Sequence, residues 1–185
     1  MKKKGAEVYV FDGCLREIWK NFPRNNDLDG YMTDKEELYH FMENELLPQL
    51  GERNELVYEA RQAKTSVKEA LKNYKRMVLL INSASEFMEA VYSEDFDVSE
   101  VLETVFEKGM NHRLHFFMAL SPREYEELAG YRAIRQFGDW KQGIHLGELL
   151  MSRVFLIMRS HLLRGAGLIR LEPHLRGRKE EQSSL

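Results

Sequence analysis

The sequence predicts an α/β fold in which a mostly parallel sheet carries helices on both faces. Two observations predict it. Short apolar runs rich in β-branched and aromatic residues read as strands, and between them lie stretches with apolar residues at helical spacing. Strand and helix alternate along the whole chain, the pattern of a sheet built by crossovers. With 185 residues the chain suits one domain with a real core. Residues 1–173 are expected to form it, and the charged stretch 174–185 to be a disordered tail.

The run EVYVFD, residues 7–12, is apolar and aromatic and is closed by Gly13, so it predicts a buried strand. Residues 27–30 carry loop chemistry. Thr33, with Glu36 three positions on, has the spacing of a capping box. Leu38, Phe41, Met42, Leu46, Leu50, Arg53 and Val57 then follow on one helical stripe, with Pro48 inside it expected to kink or break the helix. A weaker helical stretch covers residues 66–72. MVLLI, residues 77–81, is the most hydrophobic short run and predicts a parallel strand buried on both faces.

Helices are expected over residues 85–91 and 99–108, the second closed by Gly109. LHFFMAL, residues 114–120, reads as a strand, and Pro122 introduces a helix over residues 123–135. Residues 143–146 and 167–171 are further strand candidates. No repeat, low-complexity segment or domain boundary interrupts this order.

Composition narrows the functional classes. The net charge is −3 and the pI about 6.1, which argues against a protein that tracks nucleic acid. Charge is nonetheless uneven. Residues 34–60 hold eight acids (Asp34, Glu36, Glu37, Glu43, Glu45, Glu52, Glu55, Glu59) against Lys35 and Arg53, whereas the stretch after Met158 leans the other way, with Arg159, Arg164, Arg170, Arg176, Arg178 and Lys179 against three glutamates. A single cysteine, Cys14, allows no internal disulfide and no thiolate cluster, which fits a cytoplasmic setting. No run approaches the ~18 apolar residues of a spanning helix, and the start MKKKG lacks the apolar region of a secretion signal.

In order and content these segments resemble the FtsK/SpoIIIE class of RecA-like ATPases from their second strand onward. The strand 8–12 ending in Asp12-Gly13 resembles the strand of that family that ends in an aspartate. Phe22-Pro23, then Tyr31-Met32-Thr33-Asp34, then the long helix to Glu52-Arg53, resembles the segment that follows. Residues 77–82 sit where the family has its Walker B strand, and residues 105–118 resemble the helix and strand after it. The stretch 163–170, LRGAGLIR, is similar to the closing segment that carries a glycine before the last strand. The likeness covers about residues 7–172, and within the class it is nearest to the degenerate modules of EssC-type proteins of type VII secretion. It implies a RecA-like (P-loop NTPase-like) sheet whose N-terminal strand and P-loop are missing. In the family that strand lies inside the sheet, so its loss is expected either to be closed over or to leave an open edge for pairing with another chain.

The family's chemistry needs a glycine-rich loop with a lysine and a hydroxyl for phosphates and magnesium. No G-x-x-x-x-G-K-[ST] occurs here and the dipeptide Gly-Lys is absent. The Walker B position should carry an aspartate for magnesium and then a glutamate that polarises water. This sequence has Asn82 and Ser83 there, and Glu86 lies too far along to be assumed a substitute. Both residues are read as closing a strand. The expectation is therefore no catalytic residue, no bound cofactor and no metal site.

Other candidates weigh the same way. His112 and His115 are spaced i, i+3 but straddle a turn, which favours strand-end histidines over ligands. Asp12 before Gly13 is more often turn chemistry than a general base. Ser121-Pro122-Arg123 lies where the family often places a small hydroxyl residue and an arginine before proline, and the different order carries over no arginine finger. Trp19 and Phe22 are expected to make a core contact below the first strand, the nine methionines to fill core, and Cys14 to react only beside electropositive neighbours.

Two functions follow from this. The first is a non-catalytic interaction module of a type VII (EssC-like) secretion motor at the cytoplasmic face, contacting neighbouring ATPase modules or secreted substrates, with no direct membrane contact of its own. The alternative is a fragment of an active FtsK/SpoIIIE-type ATPase, secretion motor or DNA translocase, whose P-loop lies outside this chain. A stand-alone α/β domain that shares only the topology is a third and plainer reading. Self-association through an exposed sheet edge is compatible with each.

Overall fold

The structure, a computed structural model, describes residues 5–21, 28–94, 96, 98–139, 143–146, 154–158 and 169–171. Among the described residues seven strands lie in one sheet in the order β2-β1-β3-β4-β6-β5-β7. They are β1 (Ala6–Phe11), β2 (Gly30–Met32), β3 (Arg76–Ile81), β4 (Leu114–Leu120), β5 (Gly143–Leu146), β6 (Val154–Met158) and β7 (Ile169–Leu171). Strands β2, β1, β3 and β4 are mutually parallel; β6 runs antiparallel to both β4 and β5, and β7 is parallel to β5. The fold is α/β, and its strand order is continuous: β1, β3 and β4 are direct neighbours and β6 closes the outer edge of β4. Neither β2 nor β6 is legible in the sequence as a strand.

From β1 the chain steps one way to β2, then back across β1 to β3 through a long helical crossover. That crossover is α2 (Lys35–Phe41), a π-helical turn Met42–Leu46, and α3 (Leu47–Gln62). The helix neither breaks nor ends at Pro48. Proline supplies no N–H to the preceding turn, and the chain meets this with the wider i→i+5 register just before it, where the Leu47 N–H reaches the Met42 carbonyl. Leu38, Phe41, Met42, Leu46, Arg53 and Val57 of the predicted stripe are all buried.

The helix start is one residue later than the capping box suggests. Asp34 is the N-cap and accepts from the Glu37 N–H at 2.9 Å, while the Glu37 carboxylate reaches back to the Thr33 N–H at 2.7 Å. Aspartate caps as well as threonine does, and this choice lets the chain satisfy both donors.

The short α4 (Val67–Ala70) precedes β3, and α5 (Ala84–Val91) and α6 (Ser99–Lys108) connect β3 to β4. Gly109 does not close α6: a 3-10 turn, Gly109–His112, continues it, and the left-handed Arg113 (φ 60°) makes the stop. The helix expected after Pro122 is split into α7 (Pro122–Glu127) and α8 (Arg132–Asp139), because Gly130 is a poor helix former and Leu128 turns into the core.

The core gathers on one face of the sheet. Met77, Leu79 and Ile81 of β3, and Leu114, Phe116, Met118 and Leu120 of β4, are buried against Phe87, Met88, Val91, Leu102 and Phe106. The alternate residues Val78, Leu80, His115, Phe117 and Ala119 are half-buried. β3 is thus not buried equally on both faces as its unbroken apolar run suggests, and among the described residues the helical cover is heavier on one side. Met32, Met42, Met77, Met88 and Met118 fill core as expected. The stretch from residue 174 and Phe22 lie outside the described residues, as does most of the glycine-bearing closing segment.

Candidate functional site

In open α/β sheets the place to look is the carboxyl end of the strands where the order reverses. Here that point lies between β1 and β3, since β2 leaves β1 on one side and β3 on the other. The parallel register pairs Phe11 with Ile81, so the next residues, Asp12 and Asn82, emerge side by side. The Asn82 N–H donates to the Phe11 carbonyl at 2.8 Å, and the Asp12 N–H to the Met32 carbonyl at 2.9 Å. The crest is therefore fixed to three strands before any side chain is considered.

Asp12 is buried, and its carboxylate is saturated. Oδ1 accepts from the Ile18 N–H at 3.1 Å and from Asn82 Nδ2 at 2.9 Å; Oδ2 accepts from the Trp19 N–H at 3.2 Å and from the Tyr31 hydroxyl at 2.5 Å. An ionised carboxylate offers about four lone-pair sites, and all four are taken. Burial alone would push the Asp12 carboxyl up, but the hydrogen bonds from Tyr31, Ile18, Trp19 and Asn82 outweigh it and hold the pKa below the ordinary value. In turn, burial first, and then the bond to Asp12 and its charge, raise the Tyr31 phenol. The two donated N–H groups belong to α1 (Glu17–Asn21), so Asp12 ties that helix to β1, β2 and β3 at once.

A second carboxylate closes the other side. Ser83 precedes α5, and Glu86 lies one turn into it. The Glu86 Oε1 accepts from the Ser83 hydroxyl at 2.9 Å, and its Oε2 from the Cys14 N–H at 2.9 Å. Gly13 crosses beneath them at φ 74°, a conformation that favours glycine. A Cβ there would lie 2.5 Å from Glu86 Oε1 and 2.6 Å from Ser83 Cβ. The Cys14 thiol lies 3.5 Å from Glu86, whose hydrogen bond and charge push its pKa up. An exposed thiol raised in this way is a poor nucleophile at neutral pH. Arg16, the cation two residues after Cys14, turns to the Thr33 hydroxyl at 3.4 Å.

Comparison with protein-family models, with curated proteins and with solved structures found no match. What this crest can do must be read from its own geometry.

The sequence readings fare unevenly at the crest. Asn82 and Ser83 stand at the end of β3 as expected, but they do more than close it: one binds Asp12 and the other Glu86. Asp12 is more than turn chemistry: it accepts hydrogen bonds from α1, from Tyr31 and from Asn82. Tyr31 is the site residue sequence reasoning missed, and Glu86 was weighed only as a distant substitute at the Walker B position, not as a partner of Ser83 and Cys14. Ser83-x-x-Glu86 has the capping-box spacing that signals the Ser83–Glu86 contact, whereas nothing local signals Tyr31. Trp19 does not enter the core: it is 42% exposed, its ring tilted against Tyr31 at 5.1 Å.

Elsewhere, His112 is buried with Nε2 3.3 Å from Asn54 Oδ1, and His115 pairs with Val78 inside the sheet. Ser121 caps α7 in a capping box with Glu124, and Arg123 pairs with Glu127 at 2.7 Å. Arg53 is buried on the helical stripe and donates to the His112 carbonyl at 2.9 Å, holding the turn before β4. No helix among the described residues is long and apolar enough to cross a membrane.

Proposed function

We propose that this chain is a non-catalytic, ATPase-like interaction module of a type VII (EssC-like) secretion motor, which docks neighbouring ATPase modules or secreted substrates. The observation that carries the non-catalytic part is the saturated Asp12 carboxylate. Magnesium-assisted phosphoryl transfer needs a carboxylate with lone pairs open to the ion and a second group that orients water. Here four donors fill Asp12, the amide of Asn82 is one of them, and Ser83 donates to Glu86. The order of segments along the chain supports the family part of the reading. The docking part is supported by the acidic surface of α2, whose Glu36 and Glu37 are exposed.

Thermal unfolding with and without ATP–magnesium tests it. A ligand that binds only the folded state adds about 2.7 kcal/mol at a hundredfold excess over Kd. No shift in Tm is expected at millimolar nucleotide, and a reproducible upward shift that needs magnesium would overturn the reading.

A further inference from the structure

Between β2 and the start of the long helical crossover lies a groove of about 470 Å³, a volume of the order that small-molecule sites have. Its floor is aromatic. The Tyr9 and Phe41 rings lie 4.6 Å apart, and Tyr31 lines it as well. Gly30 lets β2 run across the face of Tyr9, for a Cβ there would sit 2.6 Å from that ring. The wall is acidic, with Glu36 of α2 and Glu45 of the π-helical turn. The nine residues between them make about two and a half turns of an α-helix, which would set the two carboxylates on opposite sides. The wider π turn winds the chain less per residue, and both line the same groove. Neither accepts a hydrogen bond from a described residue.

Tyr9 is the residue that points to a ligand. It is 7% exposed, yet its hydroxyl has no hydrogen-bond partner among the described residues, whereas a buried tyrosine hydroxyl as a rule has one. Burial, and then the charges of Glu45, Glu7 and Asp29, push the phenol up to about 12, so it stays protonated. Glu45 and Asp29 both line the groove, which sets the hydroxyl toward it. Asp29 is held there by the Val8 N–H at 2.9 Å. A buried hydroxyl, aromatic faces and unpaired carboxylates complement an ammonium group on an apolar stem. The carboxylates do not converge: among the described residues no three His, Cys, Asp or Glu side chains are placed to hold a metal ion. Charges spread along a groove suit a flexible chain with more than one cationic nitrogen. We propose that this groove binds an aliphatic polyamine, one ammonium donating to the Tyr9 hydroxyl and Glu45 and another to Glu36. The inference goes beyond the reading of the chain as a docking module and does not rest on it.

Isothermal titration calorimetry of the full chain with spermidine, at physiological ionic strength, tests it. Spermidine is expected to bind at a single site, about tenfold or more tighter than butylamine, which engages only one carboxylate. Glu36→Gln/Glu45→Gln should weaken spermidine about tenfold or more, and Tyr9→Phe about fivefold, since each loses charge-assisted contacts. Glu55→Gln/Glu59→Gln removes the same charge from exposed positions of α3 outside the groove and should leave the affinity unchanged. Glu36 and Glu45 are exposed, so their variant keeps the core even if Tyr9→Phe disturbs it. No heat of binding at millimolar spermidine would overturn the proposal. So would equal losses in the two glutamate pairs, or displacement of spermidine by magnesium at equal ionic strength, either of which marks general attraction to an acidic surface. The result with ATP–magnesium is independent of all these outcomes, so either idea can fail alone.

Discussion

Replacing Asp12 by asparagine preserves shape and removes charge, and so measures what the saturated carboxylate contributes. Asparagine offers one acceptor oxygen and an NH2 group where aspartate had two acceptors. Its oxygen can keep two of the four donors. On the NH2 side either the Tyr31 hydroxyl or the Asn82 amide can turn round and accept, but a backbone N–H of Ile18 or Trp19 cannot. One N–H is thus left facing a donor, at a cost of about 1–3 kcal/mol, and the remaining bonds each lose about 1 kcal/mol of charge assistance. Relief of burying a carboxylate offsets part of this. The net expectation for Asp12→Asn is a loss of about 2–4 kcal/mol at neutral pH, a fall in Tm of roughly 5–15 °C for a chain of this size.

The sign with pH is fixed. The folded Asp12 carboxyl is held below its unfolded value. Its contribution is therefore fully present above an unfolded pKa of about 3.9 and is lost as pH falls through the lower folded value. Urea unfolding of both proteins at neutral pH and through the carboxylate range gives the difference directly. A penalty below about 1 kcal/mol at neutral pH, or one that stays constant on acidification, would refute the argument that ionised Asp12 is the joint of the crest.

Two further substitutions probe the same crest. Gly13→Ala forces a Cβ against the Ser83 Cβ at 2.6 Å in a left-handed conformation, and should cost about 1–3 kcal/mol in urea unfolding; a neutral result would mean the crest is looser than its geometry. Asn82→Asp puts an acceptor where a donor stood 2.9 Å from Asp12. It should destabilise by about 2 kcal/mol at neutral pH, an effect that eases on acidification once one proton is shared between the two carboxyls. If Asn82→Asp instead conferred magnesium-dependent stabilisation by ATP, the ATPase-fragment reading would gain over the docking module.

The strands that form the core were legible because they are apolar runs with β-branched residues bounded by turns. β1, β3 and β4 were read within a residue of their ends. What escaped depended on contacts distant in sequence. β2 is only Gly30–Met32, with no alternation to see, and exists because Gly30 can cross the Tyr9 ring. β6, VFLIM, is an apolar run that periodicity alone does not distinguish from a buried turn of helix. The even burial expected of β3 failed because an unbroken apolar run does not state which faces a fold will cover. At the crest, Asp12 and Asn82 were each visible as strand-end residues. That they touch follows from β1 lying next to β3, a fact of strand order that no local pattern carries.

This separation of what is local from what is not bears on where function can reside. A carboxylate at the switch point of an α/β sheet is a binding group only while some of its lone pairs face outward. Once α1, β2 and β3 each supply donors to it, the same group becomes a joint between elements. Burial favours that outcome, because a half-satisfied carboxylate in this position would be the costlier arrangement. Glu36 and Glu45 bond to none of the atoms that hold Asp12, and they are exposed beside an edge strand whose outer side is open among the described residues. The charge of this surface can therefore be changed while the bonds that hold the crest stay intact, so substitutions at Glu36 and Glu45 test the surface without disturbing the joint at Asp12.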